Sequence, residues 1–86
     1  MNGGMRKRIA WNIRYFRVKL GLSQIQLAAD SDIDTSYISR LERGLENPTI
    51  RTLDRIAKAL GVSTIDLLAK PRGKKPKPLP GGRKPK

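Results

Sequence analysis

Between Ser23 and Gly44 two short helix-forming stretches lie almost back to back, and this joint restricts the fold more than any other feature of the chain. The first stretch opens at Ser23, with Gln26 three residues on, the spacing of a capping box in which each residue satisfies the other's free backbone N–H. Leu27 and Ala28 supply its apolar face, and the small Ala28-Ala29 pair allows a second helix to approach closely. Asp30-Ser31-Asp32 interrupts the pattern, and Ile33 is the next apolar anchor. The second stretch is capped by Asp34, carries Ile38 and Leu41 as an i, i+3 pair, and stops at Gly44. A break of about three residues cannot carry one helix straight through, so the two helices must cross at a steep angle.

The flanks supply what this pair needs for a core. Ile9, Ile13, Phe16 and Leu20 form one stripe at i, i+4, i+7 and i+11, which predicts a first helix over about Met5 to Lys19, with Gly21 at its stop. After Asn47-Pro48-Thr49, a turn that ends in a cap, a fourth helix is predicted from about Ile50 to Leu60, with Ile50, Leu53, Ile56, Ala57 and Leu60 inward and Gly61 ending it. Ser63 caps a short fifth helix over about Thr64 to Leu68, with Asp66 at its third position. There is no alternating strand-like run and no internal repeat. The reading is an all-α, five-helix domain over residues 5–69, with a flexible amino terminus at residues 1–4 and a separate segment at residues 70–86.

Charge separates those parts. The chain carries 19 Lys and Arg against 7 Asp and Glu. Eight of the basic residues fall in the Lys/Pro-rich stretch 70–86, which has no acidic residue, holds five of the six prolines and is read as disordered. The basic balance favours a polyanionic partner, but its weight in the tail means that composition alone does not identify a DNA-reading fold. There is no Cys and no His, so disulfides, Cys/His zinc sites, thiol nucleophiles and histidine acid–base chemistry are excluded. The seven scattered carboxylates offer no nucleophile–base pair, which argues against an enzyme. No metal or cofactor is called for. No apolar run approaches the roughly 18 residues of a membrane span, and Met1-Asn2-Gly3-Gly4 has no signal-peptide apolar core. The expectation is a cytoplasmic, nucleoid-associated protein with no membrane partner.

In the steep two-helix arrangement the first helix can brace against phosphates while the second lies in the major groove. Here the sequence resembles the Cro/cI-like (Xre-type) helix-turn-helix transcriptional regulators over residues 9–68. The resemblance is carried by Asn12-Ile13-Arg14, Arg17, Gly21-Leu22-Ser23-Gln24, Leu27-Ala28, Tyr37-Ile38-Ser39, Glu42-Arg43-Gly44, Asn47-Pro48-Thr49, Leu53, Ile56-Ala57 and Ala59-Leu60-Gly61-Val62 in that order and spacing. Its small size is similar to that of restriction–modification controller proteins and short phage or mobile-element repressors. The resemblance implies a lambda-repressor-like DNA-binding domain.

It also implies roles for individual positions. Thr35, Ser36, Ser39 and Arg40 form the reading surface, and Arg40 is the leading base reader because a guanidinium can grip guanine O6 and N7 together. A phosphate contact or plain solvation is the other role open to Arg40. Gln24 is assigned to a phosphate, with simple support of the helix start as the alternative. Tyr37 serves either a phosphate or sugar contact or the shielding of the core. Arg43 and Asn47 match phosphate-contacting positions, and Arg43 also suits the negative end of its own helix. Arg17 and Glu42 match a structural salt bridge between helices one and three. Two positions depart from the family: Asp32 stands where the turn usually has glycine, and Ile25 where a charged residue is usual.

The function implied is sequence-specific regulation of transcription, by repression or activation and with autoregulation, through a palindromic double-stranded operator bound by a homodimer. Val62, Ile65 and Leu68 are the candidate dimer surface, with Leu67 and Ile50 beside them. RNA polymerase, blocked or recruited, is the further partner. The tail either adds nonspecific DNA affinity or is a solvated extension. Two alternatives remain: an antitoxin-like helix-turn-helix module that also binds a protein partner, and a nonspecific nucleic-acid coating protein.

Overall fold

The computed structural model describes residues 4–71. Expectations for residues 1–3, and for the tail from Arg72 onward, lie outside the described residues. Five helices follow in order: α1 Gly4–Lys19, α2 Gln24–Ser31, α3 Thr35–Glu42, α4 Ile50–Leu60 and α5 Thr64–Leu68. No strand occurs among the described residues. α1 starts one residue ahead of the predicted Met5, taking in Gly4 from the segment expected to be flexible.

Local chemistry fixes the ends. The Ser23 hydroxyl accepts from the Gln26 N–H and the Gln26 side chain accepts from the Ser23 N–H, closing a capping box at α2. Ser63 and Asp66 do the same for α5. Asp34 caps α3 and Thr49 caps α4 through their side-chain oxygens. Each such cap contributes about 0.5–2 kcal/mol. α4 ends where Gly61 takes a left-handed φ of 73°, open to glycine without a Cβ clash.

α1 packs against α3 and α5, α2 against α3 and α4, and α4 against α5. The shared core contains Ile9, Ile13, Leu27, Ala28, Ile38, Leu41, Leu53, Ile56, Ala57, Leu60 and Leu67. Two residues assigned to inner stripes stay outside it: Leu20 is 54% exposed and Ile50 is 63% exposed. Both lie at the ends of their stripes, beyond the surface that a neighbouring helix covers. Leu67 is fully buried, which removes it from any surface patch.

A buried polar clamp joins the two ends of the fold. Asn12 is 7% exposed. Its side-chain amide donates to the carbonyls of Leu67 and Ala69, both at 2.8 Å. These are orphan carbonyls at the end of α5, and Asn12 satisfies them from α1.

Candidate nucleic-acid interface

The joint between α2 and α3 is only three residues long, Asp32 to Asp34. Asp32 turns the chain by adopting φ 59°, ψ 46°, a left-handed conformation, at the position where the resemblance implies a glycine. Aspartate tolerates this region better than most residues. Its N–H closes α2 on the carbonyls of Ala28 and Ala29, and the Ile33 N–H returns to the Ala28 carbonyl at 2.9 Å. Arg55 of α4 donates to the Asp32 carbonyl at 3.0 Å and to its carboxylate at 3.1 Å. Asp30, Asp32 and Asp34 are all exposed near this joint. Arg55 offsets the charge of Asp32, and Asp34 is engaged as a cap.

A half-hidden ion pair sets the far end of α3. Arg17 Nε donates to Glu42 Oε2 at 2.6 Å and Arg17 Nη2 to Glu42 Oε1 at 2.9 Å, a two-point contact. The side chains are 14% and 4% exposed. Arg17 Nη1 also donates to the Leu22 carbonyl at 2.7 Å, and Gln24 Nε2 to Glu42 Oε1 at 3.1 Å. The Glu42 carboxylate thus ties the end of α3 to α1 and the start of α2, and Arg17 ties in the loop between α1 and α2. Gln24 is half-buried in this network rather than standing free, although its amide carries a second hydrogen.

α3 turns Ile38 and Leu41 into the core and leaves Ser36 and Arg40 along one side, at i and i+4, with Arg43 following at the C-cap. Ser36 and Arg43 are exposed, and the Arg40 side chain is 43% exposed. Thr35 and Ser39 are half-buried, and Asn47 is exposed in the loop after α3. The Ser36 hydroxyl donates to the Asp34 carboxylate, as does the Ser36 N–H. Foremost through that hydroxyl, the Asp34 carboxyl is held below its ordinary range. Because the folded value is the lower one, this cap is at full strength at neutral pH and is lost as pH falls through the lowered value.

Tyr37 is half-buried and packed against the core. Burial, then the charge of Glu46, raises its phenol above the ordinary value, so at neutral pH the hydroxyl keeps its proton and can donate. Arg40 lies over the Tyr37 ring, 5.9 Å from its centroid, and Arg40 Nε donates to Glu46 Oε2 at 2.7 Å.

Glu46 is not among the residues singled out from the sequence, and Asn12 enters there only within the Asn12-Ile13-Arg14 match, with no partner assigned to it. Asn12 did leave a signal there: it stands three residues after Ile9 and four before Phe16, on the edge of the apolar stripe. Glu46 left none, since its pairing depends on how the loop after α3 folds back. A third unforeseen feature is a shallow groove where Lys7, Arg8 and Arg14 of α1 lie beside Arg43, extending positive charge beyond α3.

Residues 13–67 match the model of a helix-turn-helix family, HTH_3. The chain belongs to this helix-turn-helix family. It is 44% identical over 64 residues to the uncharacterised HTH-type transcriptional regulator y4dJ of Sinorhizobium fredii, covering 74% of this chain and 83% of that one. Among solved structures, the hypothetical transcription factor NHTF from Neisseria is similar with a TM-score of 0.77 and 38% identity, covering 79% of this chain and 78% of that one. The restriction–modification controller protein C.Esp1396I, solved as a tetramer in complex with its natural 35 base-pair operator, is similar with a TM-score of 0.70 and 34% identity, covering 74% and 84%. This chain is a helix-turn-helix transcriptional regulator, of a DNA-binding rather than enzymatic family. No helix among the described residues is long and apolar enough to cross a membrane.

Proposed function

We propose that this regulator binds a palindromic operator as a homodimer and acts from it on RNA polymerase, including at its own promoter, in the cytoplasm at the nucleoid. Thr35, Ser36, Ser39 and Arg40 face base edges; Gln24, Tyr37, Arg43 and Asn47 hold phosphates; Arg17 and Glu42 fix the angle of α3. The observation that carries this reading is the outward set of Ser36 and Arg40 on α3, with Arg43 at its C-cap, on a helix anchored by Ile38, Leu41 and Glu42. A helix so anchored can be laid into a groove without rearranging the core. The operator complex of the related controller protein supports the same mode of action.

One such helix reads few bases. A twofold pair separated by one DNA turn, about 34 Å, doubles the contacts and matches a palindrome. Ile65 is 74% exposed and Ile50 63% exposed, with Val62 and Leu68 half-buried nearby in sequence. Isologous burial of this apolar set is the proposed dimer contact. Ile65→Asp is expected to shift the protein to monomers in sedimentation equilibrium while leaving its helical circular dichroism unchanged. An unaltered mass for the variant would remove this surface from the interface.

Selection from a pool of randomised duplexes tests the reading of DNA. The full chain should enrich a motif with twofold symmetry. Arg40→Ala should then weaken binding to the enriched site by about 5- to 150-fold, the 1–3 kcal/mol of a bidentate base contact, with a smaller loss on random duplex. Equal losses on both would make Arg40 a phosphate contact.

A further inference from the structure

We propose that Glu46 is a specificity-determining residue, a carboxylate that presents Arg40 end-on to a guanine and withholds it from the phosphate backbone. The inference rests on the reading of Arg40 as a base contact and deepens it. Three observations carry it. Glu46 Oε2 takes the Arg40 Nε–H at 2.7 Å. The Tyr37 ring lies 5.9 Å from the guanidinium carbon. Both charged side chains remain partly open, at 43% for Arg40 and 26% for Glu46.

A guanidinium is a planar fork with five N–H donors. With Nε occupied by a carboxylate, the two terminal nitrogens are the ones left to reach outward. That end of the fork matches guanine, which offers O6 and N7 side by side in the major groove. The Tyr37 ring supports the guanidinium from a second side, so the long side chain has less freedom to lose on binding. The choice between partners follows from charge. A phosphate attracts any free cation, and such contacts supply nonspecific, salt-dependent affinity. Glu46 offsets the charge of Arg40 and sets a negative group beside it, which penalises an approaching phosphate. A guanine edge is a neutral acceptor and does not meet that repulsion. Glu46 therefore gives up some general affinity in return for discrimination.

The pair is not needed for the core: it joins the outward side of α3 to the following loop and is partly solvated. Glu46→Ala should accordingly melt at the wild-type temperature. The same randomised-duplex selection, run with wild type, Arg40→Ala, Glu46→Ala and Glu46→Gln and read by sequencing, separates the possibilities. The wild type should enrich a guanine in each half-site, and Arg40→Ala should lose it. Glu46→Ala should lower the preference for that guanine about fivefold or more, towards the lower end of what such a contact supplies, and should bind random duplex more tightly with a steeper salt dependence. Glu46→Gln keeps an acceptor for Nε without the charge, so it should retain more of the base preference than Glu46→Ala. Loss of the guanine in Arg40→Ala together with its full retention in Glu46→Ala would overturn the role of Glu46 and leave Arg40 as a reader. Retention of every preference in Arg40→Ala would overturn the reading itself, and the role of Glu46 with it.

Discussion

Glu42→Ala is expected to lower the stability of the fold by about 3–5 kcal/mol, the cost of removing one partner from a buried ion pair. The Arg17 side chain is 14% exposed and its guanidinium would keep only the Leu22 carbonyl, while Gln24 loses its acceptor. Small domains have a total stability near the low end of 5–15 kcal/mol, so the variant should be close to unfolding. Each 1 kcal/mol shifts the midpoint of a domain this size by about 4–8 °C, so thermal unfolding followed by circular dichroism should fall by roughly 12 °C or more. The paired change Arg17→Met with Glu42→Leu should cost less than Glu42→Ala alone, because no uncompensated charge remains. A midpoint for Glu42→Ala within about 2 °C of wild type would mean that the pair does not hold α3 in place.

Ile38→Ala is expected to cost about 2–5 kcal/mol, measured by urea unfolding. Ile38 is fully buried, in the middle of α3, within the core that all five helices share. Truncation leaves a void that the short helices around it cannot close without moving their caps. Ile38→Val, which removes one methylene, should cost only about 0.5–1.5 kcal/mol. The contrast bears on function, because Ile38 is neighbour in sequence to Tyr37 and Ser39 yet faces the opposite way. Loss of DNA affinity in Ile38→Ala should track the fraction unfolded and should be recovered by cooling, whereas loss in Arg40→Ala should not. A stable Ile38→Ala variant would show that α3 is not fixed through its inner face.

These two residues also mark how the sequence could be read. Ile38 and Leu41 declare themselves by spacing alone, and so do the caps Ser23, Asp34, Thr49 and Ser63, because each acts within one turn of its own helix. The order of helices and the tight joint at Asp32 were legible for the same local reason. Leu20 and Ile50 were not placed correctly, because periodicity gives the side a residue lies on but not how far the neighbouring helix extends over it. Glu46 was missed because its partner is chosen by the path of a loop, which no repeat in the sequence encodes. For the reading surface, resemblance supplied the positions, and the geometry added who holds whom: Asp34 takes Ser36, Glu42 takes Gln24, and Glu46 takes Arg40.

The amide of Asn12 has a consequence beyond filling two empty carbonyls. α5 has five residues, too few to persist as a helix by itself. Stapled to α1 at Leu67 and Ala69, it moves as an appendage of the longest rod in the molecule. If two copies meet through Ile65, as proposed, that staple would work like the pivot of a caliper, and a side chain buried inside each copy would set the gap between their reading heads.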